Sequence, residues 1–472
     1  LKHLKRPPML HASASALDVN VATALIARND GVRRLDHELL ESWSSKVARA
    51  ETPGRGYGLV ATEEIVQGEL IGVCKAMASI YEDELPMSND QLNGFSGEER
   101  TRYVHSALAQ ELESRLRSLN ASSISVSCGA YFIQRLFSLY DGSRSGYGVE
   151  LAGAKRLGLD ADGLASLPDE LPDLISSKGI VEVISIDKQR ILGILGVNSD
   201  DIWCFISSSD APQRRRRVEG TAIFGQPAWL NHAFDANVVV TTICDCIILR
   251  ATRVISKGEE LTRSYTTWTW DQDALAEKLG RFGISLDVST RESPCLFPAA
   301  ALQHPRWAAL CKLLASVEAE ISSRGSTQMP ACIGILHRAQ RDWAPIFEAS
   351  RYLELRLRLL LADAQTRERQ LASAMESVEQ ATHLLQSCRA PASEFGRYCV
   401  ILLLLGAGLH HAPPSPEQAP PPVHGAWPKA VAHLINTAYD LGSAFLGSEV
   451  AAFRAWVRCW FGASGPLEPL LD

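Results

Sequence analysis

The stretch Gly54-Arg-Gly-Tyr-Gly-Leu-Val-Ala-Thr-Glu-Glu-Ile-Val-Gln-Gly-Glu-Leu-Ile-Gly-Val73 places a glycine-rich turn before an apolar run, then a turn at Gln67-Gly68 and a second apolar run. Apolar runs bounded by glycine turns are a β-hairpin signature. β character returns far downstream, where Val238-Val-Val-Thr-Thr-Ile243 and Cys246-Ile-Ile-Leu-Arg-Ala-Thr252 are β-branched runs. Val254-Ile-Ser-Lys-Gly-Glu-Glu-Leu261 then echoes Ile65-Val-Gln-Gly-Glu-Leu70. Two hairpins are therefore expected, one on each side of a long intervening segment.

Around these strands the pattern is mostly helical. In residues 1–50, Ala22, Leu25 and Ile26, followed by Leu35, Leu39, Leu40 and Trp43, carry helical spacing and predict two N-terminal helices. Residues 75–220 read as mixed and mostly helical, with Ala107, Leu108, Leu112, Leu116 and Leu119 on one face and a connector over 164–172. Helices are expected over 307–321, 351–385, 394–409, 426–441 and 447–461, with a proline-rich linker at 412–425. Helix pairs joined by loops suggest an α-solenoid or a helical bundle. The fold class is α+β, with N-terminal helices (1–50), a first β half (51–80), a helical insertion (81–220), a second β half and its following segment (221–295) and an all-α C-terminal domain (296–472).

The 472 residues are 46% hydrophobic and 21% charged with a net charge of -7, which excludes wholesale disorder. That balance gives no overall basic footprint for nucleic acid. The run Arg214 to Arg217 reads as a solvated loop, because adjacent like charges repel and favour water. Eleven scattered cysteines without an N-terminal apolar segment argue against a disulfide framework and for reduced thiols. The most apolar stretch, 399–409, falls short of the roughly 20 residues that span a bilayer. A cytoplasmic or nuclear protein without a membrane partner is expected. The chain begins at Leu1 without a methionine, which leaves room for a removed upstream segment.

Gly54-x-Gly56-x-Gly58 is not the dinucleotide fingerprint, because the third glycine comes one residue early and a strand follows. Alone it is only a turn, just as one histidine is usually structural and a tyrosine at a strand end is usually packing. It gains weight from two downstream segments in order: Trp229-Leu-Asn-His-Ala-Phe-Asp-Ala-Asn237, and the run from Ala251 through Gly258-Glu-Glu-Leu-Thr-Arg-Ser-Tyr265. Cys244-Asp-Cys246 offers two thiols on one strand face, short of a tetrahedral metal set, and reads as packing.

With these three segments the sequence resembles the SET-domain family of S-adenosylmethionine-dependent lysine methyltransferases. The glycine segment is similar to its opening Gly-x-Gly, Asn231-His232 to its Asn-His-Ser-Cys-x-x-Asn motif, and Gly258 to Tyr265 to its closing Gly-Glu-Glu-Leu-x-x-x-Tyr. The wide gap and the helical C-terminal region resemble the divided SET arrangement of the SET and MYND group and of fungal proteins that join a SET domain to tetratricopeptide-like helices. The resemblance covers roughly residues 51–80 and 180–290. It implies a SET-fold β core with S-adenosylmethionine as cofactor, held by Gly54, Arg55, Gly56, Tyr57, Asn231 and His232, with Asn198 as an additional contact. Tyr265 is the implied catalytic residue, closing the transfer channel. The implied partner is a lysine side chain of a protein, and no catalytic His-Asp pair is required, since a desolvated channel beside a sulfonium depresses the amine's pKa.

Two departures stand out. Ala233 and Phe234 replace the motif's serine and cysteine, and the family's zinc-binding cysteines would fall near Leu286, Val288 and Arg291. No metal is therefore expected, and Ile284, Leu286 and Val288 are expected to hold this segment against the tail. The alternatives are a SET fold repurposed for small-molecule methylation or cyclisation, and a catalytically silent scaffold.

Overall fold

In the computed structural model, the described residues are 41–52, 55–87, 91, 94–121, 170–175, 181–185, 194–208, 211–323, 328–388, 398–399 and 401–406, with isolated positions at 34, 139, 394, 434 and 436–438. Residues 1–33 and 35–40 of the expected N-terminal helices, residues 164–169 of the connector expected over 164–172, the linker at 412–425, most of the helix at 426–441 and the helix at 447–461 lie outside them.

Thirteen strands are described: β1 (Glu41–Trp43), β2 (Val47–Thr52), β3 (Gly56–Ala61), β4 (Leu70–Lys75), β5 (Ala78–Tyr81), β6 (Glu170–Ile175), β7 (Val181–Ser185), β8 (Ser199–Ser208), β9 (Ala211–Ile223), β10 (Asn231–His232), β11 (Val238–Ile243), β12 (Cys246–Ala251) and β13 (Glu260–Arg263). They form small sheets in the orders β1-β4-β12-β11, β10-β13-β3-β2, β5-β9-β8 and β6-β7. The helices are α1 (Gly97–Ala121), α2 (Gln272–Gly280), α3 (Leu286–Arg291), α4 (Ala299–Leu302), α5 (Trp307–Ser322), α6 (Met329–Asp342), α7 (Ala344–Ala349), α8 (Arg351–Arg367) and α9 (Leu371–Ser387). The class is α+β.

The second β half keeps a hairpin, β11 with β12, closed between Ile243 and Cys246, whereas the first hairpin dissolves into a larger exchange. β3 and β4 are strands, but β3 pairs with β2 and β13 while β4 pairs with β1 and β12. The echo between the two segments is realised in space. Ile65 and Ile255 exchange both backbone hydrogen bonds, at 3.0 and 2.9 Å, and each segment turns at a glycine in the left-handed region, Gly68 at φ 79 and Gly258 at φ 83. In each turn a glutamate folds back onto a main-chain N–H: Glu69 accepts from Val66 at 3.0 Å and Glu259 from Ser256 at 2.9 Å. The two halves of the core are thus stitched to each other.

Other expectations are corrected. Residues 41–52 are strands β1 and β2, so Trp43, placed on an N-terminal helix by spacing, instead sits opposite Gly72 on β4. The insertion is helical only in part: α1 buries Leu108 and Leu112, but β8 and β9 form a long hairpin. Arg214 to Arg217 lie on β9, where Arg215 faces Ser207 and Arg217 faces Phe205 in the ladder, because pairing with β8 satisfies the backbone of this segment. The helix expected over 351–385 is two helices, α8 and α9, broken where Arg369 adopts φ 58.

The cores run through both regions. Leu59, Ile71, Ile247 and Leu261 of the sheets share one cluster with Leu355, Leu359 and Leu402 of the tail. A second cluster joins Phe234, Trp268 and Trp270 to Leu310, Leu336, Tyr352 and Leu360. Cys244 and Cys246 are both buried at the β11–β12 turn.

Candidate functional site

The sheet β10-β13-β3-β2 brings the distant motifs to one place. Asn231 and His232 pair in parallel with Thr262 and Arg263 of β13, whose other edge meets Leu59 and Val60 of β3. The approach is close. A methyl group added at Gly58 would stand 2.7 Å from Glu260 Oε1 and 2.8 Å from Asn231 Nδ2, so any larger residue there would displace the ends of these two side chains. Asn231 Nδ2 donates to Glu260 Oε1 at 2.7 Å and to Thr52 Oγ1 at 3.3 Å.

Arg55 closes the turn before β3. It donates to the His232 carbonyl at 3.3 Å, stands 3.5 Å from a Glu260 oxygen and pairs with Glu292 at the end of α3. Gly56 begins β3 at φ 81, and Tyr57 is 58% exposed, its ring 4.4 Å from the Arg49 guanidinium, which also lies 4.3 Å from the Trp229 ring. Gly54 lies outside the described residues.

His232 is buried, and its Nδ1 accepts from the Tyr265 backbone N–H at 3.1 Å. Burial, aided by the nearby Arg55 and Arg263 cations, pushes its pKa down to about 4. The ring is therefore neutral at pH 7 with its proton on Nε2, and that N–H has no hydrogen-bond partner among the described residues. Phe234, the aromatic departure, packs edge-on to His232 at 4.9 Å and to Phe297 at 5.5 Å, linking the site to the tail's core.

The Tyr265 hydroxyl donates to the Leu230 carbonyl at 2.8 Å, and its ring lies 4.7 Å from Phe282 and 5.4 Å from His232. Burial is the main cause that pushes the phenol up to about 12, so it keeps its proton at neutral pH. On one side Tyr265 borders a cavity of about 540 Å³, walled also by Tyr81, His105, Trp203, Arg281 and Phe282. Asn198 is buried at the entry to β8, its amide donating to the Ile194 carbonyl at 2.8 Å. The structure thus unites Arg55, Gly56, Tyr57, Asn231, His232 and Tyr265, while the Asn198 amide is engaged within its own helical turn.

Asn237, quoted in the motif but given no role from sequence, is the clamp of this sheet. It is 1% exposed, donates to Glu259 Oε1 at 3.1 Å and the Glu260 carbonyl at 2.8 Å, and accepts from the Thr262 N–H at 2.8 Å. Glu260 and Glu292 were also missed, since only the folded chain brings them to Asn231 and Arg55.

After the core, Ile284 and Leu286 pack against the tail cluster as expected, but Val288 is 49% exposed, and α3 buries Ser289 and Thr290 instead. Cys295 Sγ approaches Asp235 at 3.4 Å. Among the described residues no group of three or more His, Cys, Asp or Glu could hold a metal ion, and no helix is long and apolar enough to cross a membrane.

The small sheets, stitched to each other across the insertion, thus bring Tyr265 beside the Asn231-His232 pair. Residues 56–266 match the model of the SET domain. A crystal structure of the SET domain of LSMT bound to lysine and AdoHcy is similar at 10% identity and a TM-score of 0.26, covering 98% of this chain and 93% of that one. No curated protein matches.

His105 and His232 both have pKa values lowered to about 4 from 6.5, chiefly by burial. Between those pH values the unfolded chain binds the extra protons, so stability is fully present above about 6.5 and is lost as pH falls towards 4. The thermal midpoint is expected to fall across that window, and more shallowly in His105→Asn, as differential scanning calorimetry would read.

Proposed function

We propose that this chain is a SET-type methyltransferase that uses S-adenosylmethionine and methylates a lysine side chain of a protein. The observation that carries the reading is the neutral, buried His232, beside Asn231 and the Gly56 turn, whose Nε2–H has no partner among the described residues. Such a donor fits an acceptor on a bound ligand, because an unmatched buried N–H costs about 1 to 3 kcal/mol. Arg55, Gly56, Tyr57, Asn231 and His232 hold the cofactor, with Asn198 and Gly54 as further contacts.

When bound, the cofactor supplies an electrophilic methyl group on a sulfonium. Tyr265 orients the attacking amine with a hydroxyl that stays protonated, and methyl transfer is dominated by such positioning. A lysine amine, with a pKa of about 10.4 in water, must shed its proton first. That value is lowered beside a cationic sulfonium.

A second reading, a small-molecule acceptor, is favoured by the breadth of the cavity that Tyr265 borders. Its volume of about 540 Å³ lies among those of ordinary small-molecule sites, roughly 300–1,000 Å³. Incubating the protein with methyl-tritiated S-adenosylmethionine and an array of lysine peptides, beside a panel of small amines, separates the two. Label on peptides supports lysine methylation; label only on amines replaces it with the second reading. Asn231→Ala is expected to weaken cofactor binding by about 1 to 3 kcal/mol, the cost of unmatched buried polar groups. An unchanged dissociation constant by calorimetry would remove Asn231 from the site.

A further inference from the structure

An ion pair from the insertion stands directly behind the tyrosine. Arg263, two residues before Tyr265, is 8% exposed and donates to both carboxylate oxygens of Asp200, at 3.0 and 2.7 Å. Asp200 belongs to β8, the strand that leaves the helical turn carrying Asn198. The guanidinium carbon of the same Arg263 lies 5.4 Å from the centre of the Tyr265 ring. A two-pronged pair fixes orientation as well as distance, which a lysine or a single hydrogen bond would not.

We propose that Asp200 and Arg263 are positioning residues for Tyr265, through which the insertion sets both the angle of the phenol and the charge at the cavity where the acceptor amine lies. The role at the amine rests on the methyltransferase reading; the control of Tyr265 does not. The other charged and titratable groups around the tyrosine are Glu260 of β13, Arg55 of the β2–β3 turn and the neutral His232 of β10. Lys278 and Arg281 of α2 border the cavity, with Glu82, Arg100, Asp201, Glu219 and His105 on its other walls. Within this set Arg263 acts to lower the Tyr265 pKa and Asp200 to raise it, so the two charges oppose each other at the phenol while the pair is intact.

That opposition gives a test that a mere brace would fail. Asp200→Asn leaves the Arg263 cation uncompensated, whereas Arg263→Met leaves the Asp200 anion uncompensated. In protein labelled with ¹³Cζ-tyrosine, the resonance lost in Tyr265→Phe is expected to titrate at lower pH in Asp200→Asn, with no such fall in Arg263→Met. With the best methyl acceptor from the peptide array, turnover is expected to fall at least tenfold in each variant while the KM for S-adenosylmethionine changes less than twofold. The acid limb of the turnover profile is expected to move to lower pH in Asp200→Asn and to higher pH in Arg263→Met.

If a lone buried charge prevents folding, the neutral double variant Asp200→Asn with Arg263→Gln keeps the test alive. It should bring the tyrosine midpoint between those of the two single variants without restoring turnover. Midpoints that stay put or move together, with losses confined to thermal stability, would overturn the proposal. Absence of methyl transfer by the unmodified protein would instead remove the methyltransferase reading and the role at the amine, while the resonance shifts still decide whether the pair governs Tyr265.

Discussion

Tyr265→Phe is expected to lower turnover roughly a hundredfold, the scale seen when one preorganised hydrogen-bonding group is removed from a transition state. The phenol keeps its proton at neutral pH, with its pKa pushed up to about 12, and its hydroxyl is aimed by the bond to the Leu230 carbonyl. Phenylalanine preserves the ring contacts with His232 and Phe282, so the fold is retained. The buried Leu230 carbonyl loses a donor at a cost of about 1 kcal/mol, a small drop in thermal midpoint. Cofactor affinity should be nearly unchanged, because the interaction acts chiefly in the transition state. Single-turnover kinetics together with calorimetric cofactor titration checks this. Full turnover per folded molecule combined with reduced stability would make Tyr265 a packing residue.

Arg356→Ala is expected to destabilise the protein by about 3 to 5 kcal/mol, the usual result of breaking a buried ion pair from one side. Arg356 is 1% exposed, donates to Glu394 Oε1 at 2.7 Å and to Glu318 Oε1 at 2.6 Å, and lies 5.6 Å from the Trp268 ring centre. Glu394 also accepts from the Tyr352 hydroxyl at 3.1 Å, and Glu318 accepts from Thr269 at 2.7 Å. The network therefore ties α8 and α5 to the segment that follows Tyr265. Removing the cation strands two carboxylates in an apolar cluster, whereas removing all three charges with shape-matched apolar residues is expected to cost far less. Urea unfolding of Arg356→Ala checks the prediction, and a loss below 1 kcal/mol would contradict it.

The strands of the core were legible because their residues say so locally: Val238 to Ile243 is β-branched throughout, and Gly68 and Gly258 mark turns that need left-handed backbone. Their pairing was not legible. Nothing within Gly54 to Val73 tells β3 to choose β13 over β4, since that choice is made by burying Leu59 and Leu261 together. Trp43 misled because four apolar residues at helical spacing outweighed the edge pairing with β4. The helix α6 was overlooked although Met329, Cys332, Ile333, Leu336 and Ala339 are spaced to share one buried face. At the site, Asn231, His232 and Tyr265 could be read from their order in the chain. Asp200, Glu260 and Glu292 could not, because their partners lie 63, 29 and 237 positions away and only the fold brings them into contact.

Calorimetric titration of S-adenosylmethionine into the purified protein tests the central claim most directly, since the methyltransferase reading depends on a cofactor lying between Gly56 and His232. The account predicts saturable binding at one site per chain, weakened by Asn231→Ala and nearly unaffected by Tyr265→Phe. No saturable binding to the unmodified folded protein, or equal affinity in Asn231→Ala, would contradict it.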